Sequence, residues 1–186
     1  RNNIDLLLQH NFHVKINVVV IRGANDDEIC DFVAWTRNKN VHVRFIEFMP
    51  FNGNNWLTGN VVSFHEILQK ISSEFGNDVI KLEDGVNDTA KNYAIRNHIG
   101  TFAFISSVTN PFCDTCNRIR ITADGKIKNC LFSTSETDLL TALRKGKDIR
   151  QLIKDSIWFK KALRGGMTTS ENFGKLQNRT MVAIGG

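Results

Sequence analysis

The sequence has few of the features that mark several large classes of protein. Two prolines and 13 glycines in 186 residues exclude a proline-rich or collagen-like chain. The longest apolar runs, such as residues 18–21, are far shorter than the roughly 18–20 residues that a membrane helix needs. Four cysteines are too few for a disulfide scaffold, and they favour a reducing compartment. We expect a globular protein of the cytoplasm, with the mitochondrial matrix left open.

The chain carries a modest excess of positive charge. It has 24 lysines and arginines against 19 aspartates and glutamates, which gives a net charge of +5. The basic residues are spread along the chain and form no stripe interleaved with aromatic residues, as they would in a single-strand-binding protein. We therefore expect neither a nucleic acid nor a membrane as a partner. An ordinary basic surface and a small polyphosphate ligand both remain compatible with the charge.

The first 50 residues have the pattern of a strand, a helix and a second strand. Residues 12–21 alternate between an apolar face and a face that turns polar at Lys15 and Asn17. Residues 25–28 are typical of a helix N-terminus, and apolar residues keep helical spacing from there to about residue 37. Residues 43–49 form a second short strand. Because one helix and short loops connect the two strands, we predict that the strands are parallel.

The pattern changes after Pro50. Ser63 and Glu66 have the spacing of a capping box, and the apolar residues after them predict a helix that ends at Gly76. Short strands are predicted at 78–83, 92–97, 101–107, 118–122 and 126–131, and helices at 136–145 and 148–163. Closely spaced short strands favour an antiparallel sheet.

Three of the four cysteines lie close together. Cys113, Cys116 and Cys130 form a C-x2-C-x13-C pattern, in which the first pair occupies a loop. Both thiolates of such a loop can face one metal centre. Residues 123–125 (Ala-Asp-Gly) predict a β-hairpin that brings Cys130 back toward the pair. Cys30 stands apart among apolar residues, and we expect it to be a small buried side chain.

The length of the hairpin loop decides which residues face each other. A two-residue turn pairs Ile121 with Lys128, whereas a three-residue loop with Gly125 in the left-handed conformation pairs Ile121 with Ile127. We prefer the second register because it places the two isoleucines together on the buried face. The other pairs of that register are Arg120 with Lys128 and Arg118 with Cys130. The register predicts a three-thiolate site flanked by two arginines.

The spacing of the cysteines leaves the bound group open. Zinc would need a fourth ligand, for which His98 and His65 are candidates. An iron–sulfur cluster is the alternative, since three thiolates on a four-iron cluster leave one iron for a substrate. Two neighbouring arginines suit an anionic ligand and favour the second hypothesis.

Several motifs follow one another in a fixed order. They are Lys-Ile-Asn at 15–17, Gly-Ala-Asn-Asp at 23–26, RFIEFMP at 44–50, NPFCDTCNRIRITADG at 110–125, Cys-Leu-Phe at 130–132 and the terminal Gly-Gly. The set closely resembles the MoaA-type GTP 3′,8-cyclases, the radical S-adenosylmethionine (SAM) enzymes that begin molybdenum cofactor synthesis. The resemblance covers nearly the whole chain and is weak at 76–90 and 146–177.

The resemblance implies a fold, a reaction and partners. The α/β fold would combine the C-terminal part of an incomplete (β/α)6 radical SAM barrel (residues 1–50) with an α+β C-terminal domain (residues 51–186). That domain would contain a small antiparallel sheet, an auxiliary 4Fe-4S cluster and a Gly-Gly tail. The implied reaction rearranges GTP to 3′,8-cyclo-7,8-dihydro-GTP with a SAM-derived radical. The implied partners are GTP, the N-terminal half of the barrel and a second copy in a homodimer.

The same resemblance assigns site residues, although none of them as catalytic. The cluster ligands would be Cys113, Cys116 and Cys130; GTP contacts would be made by Lys15, Asn17, Arg44, Arg118, Ile119 and Arg120; SAM would contact Met49; and Gly185 and Gly186 would enter the active site. Thr180 stands where the family usually has proline, which leaves the stiffness of the tail in doubt.

One motif of the family is missing. The sequence contains no C-x3-C-x2-C, the motif that holds the SAM-cleaving cluster. We therefore expect a portion of a longer enzyme that is inactive alone. Two other functions are alternatives: a different radical SAM enzyme with an auxiliary cluster, and a non-enzymatic zinc-binding module.

Overall fold

The computed structural model describes residues 2–167 and 178–184, and two compact units divide the chain. Unit 1 comprises Arg1–Met49 and Gly59–Phe112, and unit 2 comprises Pro50–Thr58 and Cys113–Gly186. Residues 59–112 thus group with the first 49 residues. The predicted domain boundary between residues 50 and 51 concerns the organisation of the intact protein, and it stays a prediction.

Five helices and eight strands have defined bounds in the described residues. The helices are α1 (Asn2–Gln9), α2 (Ile29–Trp35), α3 (Phe64–Phe75), α4 (Leu139–Arg144) and α5 (Arg150–Trp158). The strands are β1 (Val14–Val20), β2 (Val41–Glu47), β3 (Val79–Lys81), β4 (Lys91–Ile95), β5 (Thr101–Ile105), β6 (Arg120–Ile121), β7 (Lys126–Lys128) and β8 (Thr137–Asp138). In this part of the chain no helix is long and apolar enough to cross a lipid bilayer.

Unit 1 is built on one five-stranded mixed sheet with the order β1-β2-β5-β4-β3. β1 and β2 are parallel, as predicted, and β5 is also parallel to β2. β4 is antiparallel to both β5 and β3. The prediction of an antiparallel sheet for the strands within 78–107 is therefore correct for the pairs β3–β4 and β4–β5, but not for the pairing of β5 with β2. β5 has a strand on each side and is buried at Phe102, Ala103 and Phe104, as expected of an interior strand of the sheet.

In unit 1, helix α3 begins with a side-chain cap and helix α2 does not. The predicted capping box of α3 is present, because Ser63 accepts from the Glu66 amide and Glu66 accepts from the Ser63 amide. The predicted N-cap of α2 is wrong, since Asn25 Oδ1 accepts instead from the Ile21 amide, at 2.8 Å. The side chains of Asn25 and Asp26 stabilise the turn after β1, and α2 starts at Ile29.

Glu47 at the end of β2 is a buried carboxylate that joins three segments of unit 1. It is 2% exposed. Its Oε2 accepts from the amides of Val108 (2.7 Å) and Thr109 (2.9 Å). Its Oε1 accepts from the Phe64 amide at the start of α3 (3.2 Å) and from the Thr109 hydroxyl. A buried carboxylate is tolerated only with such a set of donors, so Glu47 fixes the helix start and the loop after β5.

Glu47→Ala should destabilise the protein by about 3 kcal/mol, because buried backbone donors would lose their acceptor. Urea unfolding followed by circular dichroism measures this. Glu74→Ala, at an exposed position of α3, is the control and should change stability by less than about 0.5 kcal/mol. Equal stabilities of the two variants would contradict the role given to Glu47.

Unit 2 contains a small antiparallel sheet with the order β6-β7-β8. The predicted hairpin register is confirmed, since Arg120 pairs with Lys128 and Ile121 with Ile127. Gly125 has φ +74°, and a Cβ at this position would lie 2.4 Å from the Cβ of Leu140. Both the backbone conformation and the space therefore require glycine.

The reason given for that register is only half correct. Ile127 is 1% exposed, but Ile121 is 68% exposed. β7 is the central strand, with α4 and α5 packed against it, whereas β6 is a two-residue edge strand. The register is therefore set by the loop and not by a shared buried face. The predicted helix at 136–145 also begins later, because residues 137–138 form β8 and Asp138 caps α4.

Candidate functional site

Polar side chains line one face of the parallel strands in unit 1. Lys15 pairs with His42 and Asn17 with Arg44, so all four project from the same face of β1 and β2. The opposite face carries the apolar core. Arg44 Nε donates to Asn17 Oδ1 at 2.8 Å. The predicted positions Lys15, Asn17 and Arg44 thus share one cationic face, which we call the Lys15 face (Lys15, Asn17, His42 and Arg44).

His42 is the member of the Lys15 face that the sequence interpretation missed. Its Nδ1 lies 2.7 Å from the hydroxyl of Thr101, its neighbour on β5. Partial burial, and then the charges of Arg44 and Lys15, hold the pKa of His42 below the ordinary value of 6.5. The alternation of apolar and polar residues over 41–45 is a signal that could have identified it, because that alternation places 42 and 44 on one face.

The lowered pKa of His42 has a defined consequence for stability. The folded protein binds this proton less well than the unfolded chain, so stability is lost as the pH falls through and below 6.5. Arg44→Met removes one repelling charge and should raise the pKa of His42 toward the ordinary value. NMR titration of the imidazole measures this directly. Arg96→Met, at an exposed position of the same unit, should leave the pKa of His42 unchanged, and equal responses to both variants would contradict the assignment.

In unit 2 the first two cysteines lie in a tight turn, in which the Cys116 amide donates to the Cys113 carbonyl at 3.3 Å. Two further groups donate to their sulfurs. Lys160 Nζ lies 3.3 Å from Cys116 Sγ and also contacts the carbonyls of Cys116 and Arg118. The Arg164 amide donates to Cys113 Sγ at 3.3 Å. Such donors stabilise negative charge on sulfur, and sequence reasoning found neither of them because they lie more than 40 residues away.

The environments of Cys116 and Cys130 shift the pKa values of their thiols in opposite directions. Burial raises the pKa of Cys116, but hydrogen bonds from Arg118 and Lys160 outweigh it and leave the pKa below the ordinary value. Burial raises the pKa of Cys130; a hydrogen bond from the Phe132 amide opposes this effect, and the charge of Cys113 adds to it. Cys130 is therefore close enough to Cys113 for the charges to interact.

The three clustered cysteines supply thiols of the kind that bind zinc or iron. Cys113, Cys116 and Cys130 are all outside disulfides. Over residues 2–167 and 178–184, however, no three Cys, His, Asp or Glu side chains converge as a metal site. His98, a candidate zinc ligand, belongs to unit 1 and has its Nδ1 2.8 Å from the hydroxyl of Thr36. His65 packs edge-on against Phe64 within unit 1.

The other predicted site residues are distributed as follows. Arg118 and Ile119 are exposed, Arg120 is half-buried in β6, and the ladder ends before the predicted pairing of Arg118 with Cys130. Met49 is half-buried at the end of the first segment of unit 1, and Gly185 and Gly186 lie outside the described residues. Cys30 is half-buried, with its sulfur 3.8 Å from the Lys70 carbonyl.

Comparison with known proteins identifies relatives. Residues 41–164 match the family described as Molybdenum Cofactor Synthesis C. The chain is 44% identical over 188 residues to "GTP 3′,8-cyclase, mitochondrial" of Arabidopsis thaliana, covering 99% of this chain and 47% of that protein. It is 50% identical to "Molybdenum cofactor biosynthesis protein 1" of Drosophila melanogaster (76% of this chain, 25% of that protein). It is 43% identical to "GTP 3′,8-cyclase" of Peptoclostridium acidaminophilum (77% and 44%). The chain therefore spans less than half the length of these relatives.

Proposed function

The chain belongs to the Molybdenum Cofactor Synthesis C family, and from this premise we propose that its protein is a GTP 3′,8-cyclase. The reaction is the rearrangement of GTP to 3′,8-cyclo-7,8-dihydro-GTP through SAM-derived radical chemistry. Plant and bacterial relatives with this name support the proposal. The sequence has no C-x3-C-x2-C motif, so the SAM-cleaving cluster would be held by residues beyond this sequence. The setting would be the cytoplasm or the mitochondrial matrix, and the whole enzyme would be a homodimer.

We propose that the parallel strands of unit 1 belong to an incomplete radical SAM barrel. Three observations support this. β1 is parallel to β2, and β2 is parallel to β5. Helix α2 connects β1 and β2, and β1 lies at the edge of the described sheet. In a barrel the helix-covered face is apolar and the other face lines the interior. The Lys15 face would then line that interior, and Met49, just after β2, would contact SAM.

Cys113, Cys116 and Cys130 are the proposed ligands of an auxiliary 4Fe-4S cluster. When bound, such a cluster supplies an iron without a protein ligand, at which the guanine of GTP can bind. Lys160 and the Arg164 amide would donate to two of the ligand sulfurs and stabilise their negative charge. This second layer of donors is typical of sites that hold a thiolate-bound metal group.

The cations would bind the triphosphate. The proposed GTP contacts are Arg118, Ile119 and Arg120 in unit 2 and Lys15, Asn17 and Arg44 in unit 1. Guanidinium groups suit phosphate oxygens because they donate two parallel hydrogen bonds. The terminal Gly185 and Gly186 would enter the active site, where the absence of side chains permits close approach.

One observation carries the proposal. Across 99% of its length the chain is 44% identical to a protein named GTP 3′,8-cyclase. The three cysteines at 113–130, which are outside disulfides, are compatible with that function. A zinc-binding module would not need the cationic Lys15 face, and a peptide-maturing radical SAM enzyme would not need two arginines on the hairpin.

A chimera tests the proposed activity. Residues 1–186 replace the matching segment of the Arabidopsis relative, which supplies the rest of the enzyme. We expect the chimera to convert GTP in the presence of SAM and a reductant, and Cys113→Ala to abolish conversion and the iron bound by the second cluster. Cys30→Ala is the control and should keep both. Tight zinc without charge-transfer absorption in this segment would contradict the cluster proposal.

Arg120→Gln in the same chimera should weaken GTP binding about tenfold or more, because one charge-assisted contact to phosphate contributes about 1.5–3 kcal/mol. Equilibrium dialysis with GTP measures the affinity. Arg150→Gln is the matched control, since Arg150 is 84% exposed and pairs with Asp148 at the start of α5; it should change the affinity by less than about twofold. Equal effects of the two variants would show that only overall charge matters.

A further inference from the structure

The chain segment that carries Cys130 leaves the hairpin as a tight turn. β7 ends at Lys128, and residues 129–133, which we call the Cys130 turn, follow it. The Ser133 amide donates to the Cys130 carbonyl at 3.2 Å and closes the turn. Gly165 packs directly on it, because a Cβ at Gly165 would lie 2.9 Å from the Ser133 nitrogen. The direction of the Cys130 side chain therefore depends on what holds this turn closed.

Lys128 holds the two ends of the turn together from inside the protein. It is 1% exposed. Its Nζ donates to the carbonyl of Ser133, at the far end of the turn, and to Asn178 Oδ1 at 2.9 Å. A buried ammonium group that loses its acceptors costs several kcal/mol. Conformations in which the turn opens while Lys128 stays buried are consequently disfavoured.

Asn178 connects this turn to the C-terminal segment (residues 178–184). It is 3% exposed. Its Nδ2 donates to the Leu131 carbonyl inside the turn at 2.8 Å, and its Oδ1 accepts from both Lys128 and the Arg179 amide (2.9 Å). One side chain thus bonds to the strand, the turn and the C-terminal segment together.

The C-terminal segment has two further anchors within unit 2. Arg179 donates to both carboxylate oxygens of Asp124 in the hairpin loop (3.0 and 2.8 Å) and to Glu136 (2.6 Å). At the other end of the segment Ile184 is 1% exposed. Asp124 and Glu136 lie outside the Cys130 turn, so a mutation of the Arg179 side chain can loosen the segment without removing a hydrogen bond to the turn.

We propose that Lys128 and Asn178 are positioning residues that couple the Cys130 turn to the docking of residues 178–184. The turn holds its thiol in a fixed and partly sheltered position only when the C-terminal segment is docked, and the segment docks fully only on the closed turn. Because such coupling is reciprocal, a group bound at Cys130 would also hold the segment that leads to the terminal glycines. The inference extends the proposed function by linking its cluster ligand to its tail.

The test measures thiol reactivity in the full chain, free of metal. N-ethylmaleimide labels the protein for short times, and peptide mapping gives a rate for each of the four cysteines. Asn178→Ala should raise the rate at Cys130 at least about fivefold and change Cys30, Cys113 and Cys116 by less than twofold. Lys128→Met should give the same pattern, and the double variant should be no faster than the faster single variant.

Arg179→Gln is the matched control, since it loosens the same segment from Asp124 and Glu136. It should raise the rate at Cys130 less than Asn178→Ala does. A uniform rise at all four cysteines would mean that Asn178 only supports global stability, and unchanged rates would mean that the turn closes by itself. Either result overturns the proposal. Because the labelling is done on metal-free protein, the outcome does not depend on whether the site takes an iron–sulfur cluster.

Discussion

A charged group that is removed from water must be surrounded by hydrogen-bond partners, and each compact unit of this chain is organised around one such group. In unit 1 the group is Glu47, which accepts from the start of α3 and from the loop after β5. In unit 2 it is Lys128, which donates to the Cys130 turn and to Asn178. Each charge draws together segments that are distant in sequence, because none of its partners could be released without a large desolvation cost.

The candidate functional side chains lie on or next to the strands that these two buried groups end. Glu47 ends the strand that carries His42 and Arg44 on its opposite face, so the carboxylate supports the strand while the cations remain accessible. Lys128 ends the strand that leads to Cys130 and pairs with Arg120 across the hairpin. In each unit a buried charge therefore anchors a strand that carries cationic side chains or leads to a thiol.

Sequence reasoning was accurate where structure depends on neighbouring residues and inaccurate where it depends on distant ones. The capping box of α3 and the three-residue hairpin loop at Gly125 are local, and both are confirmed. Burial of Ile121 depends on what packs around β6, which is an edge strand of the described sheet, and Ile121 is 68% exposed, so that expectation was wrong. The parallel pairing of β5 with β2 joins residues about 60 positions apart, and a pattern of short strands contains no information about such a partner.

The sequence by itself determined the family, the parallel pair of strands, the hairpin register and the cysteine pattern, because these follow from ordered motifs and from periodicity over a few residues. Only the tertiary structure decided which groups surround them. It brought Lys160 and Arg164 to the sulfurs of Cys116 and Cys113, His42 beside Lys15 and Arg44, and Asn178 to the Cys130 turn. The physical reason is that hydrogen bonds and charge interactions act over a few ångströms in space, while the chain positions that they join are set by folding of the whole unit.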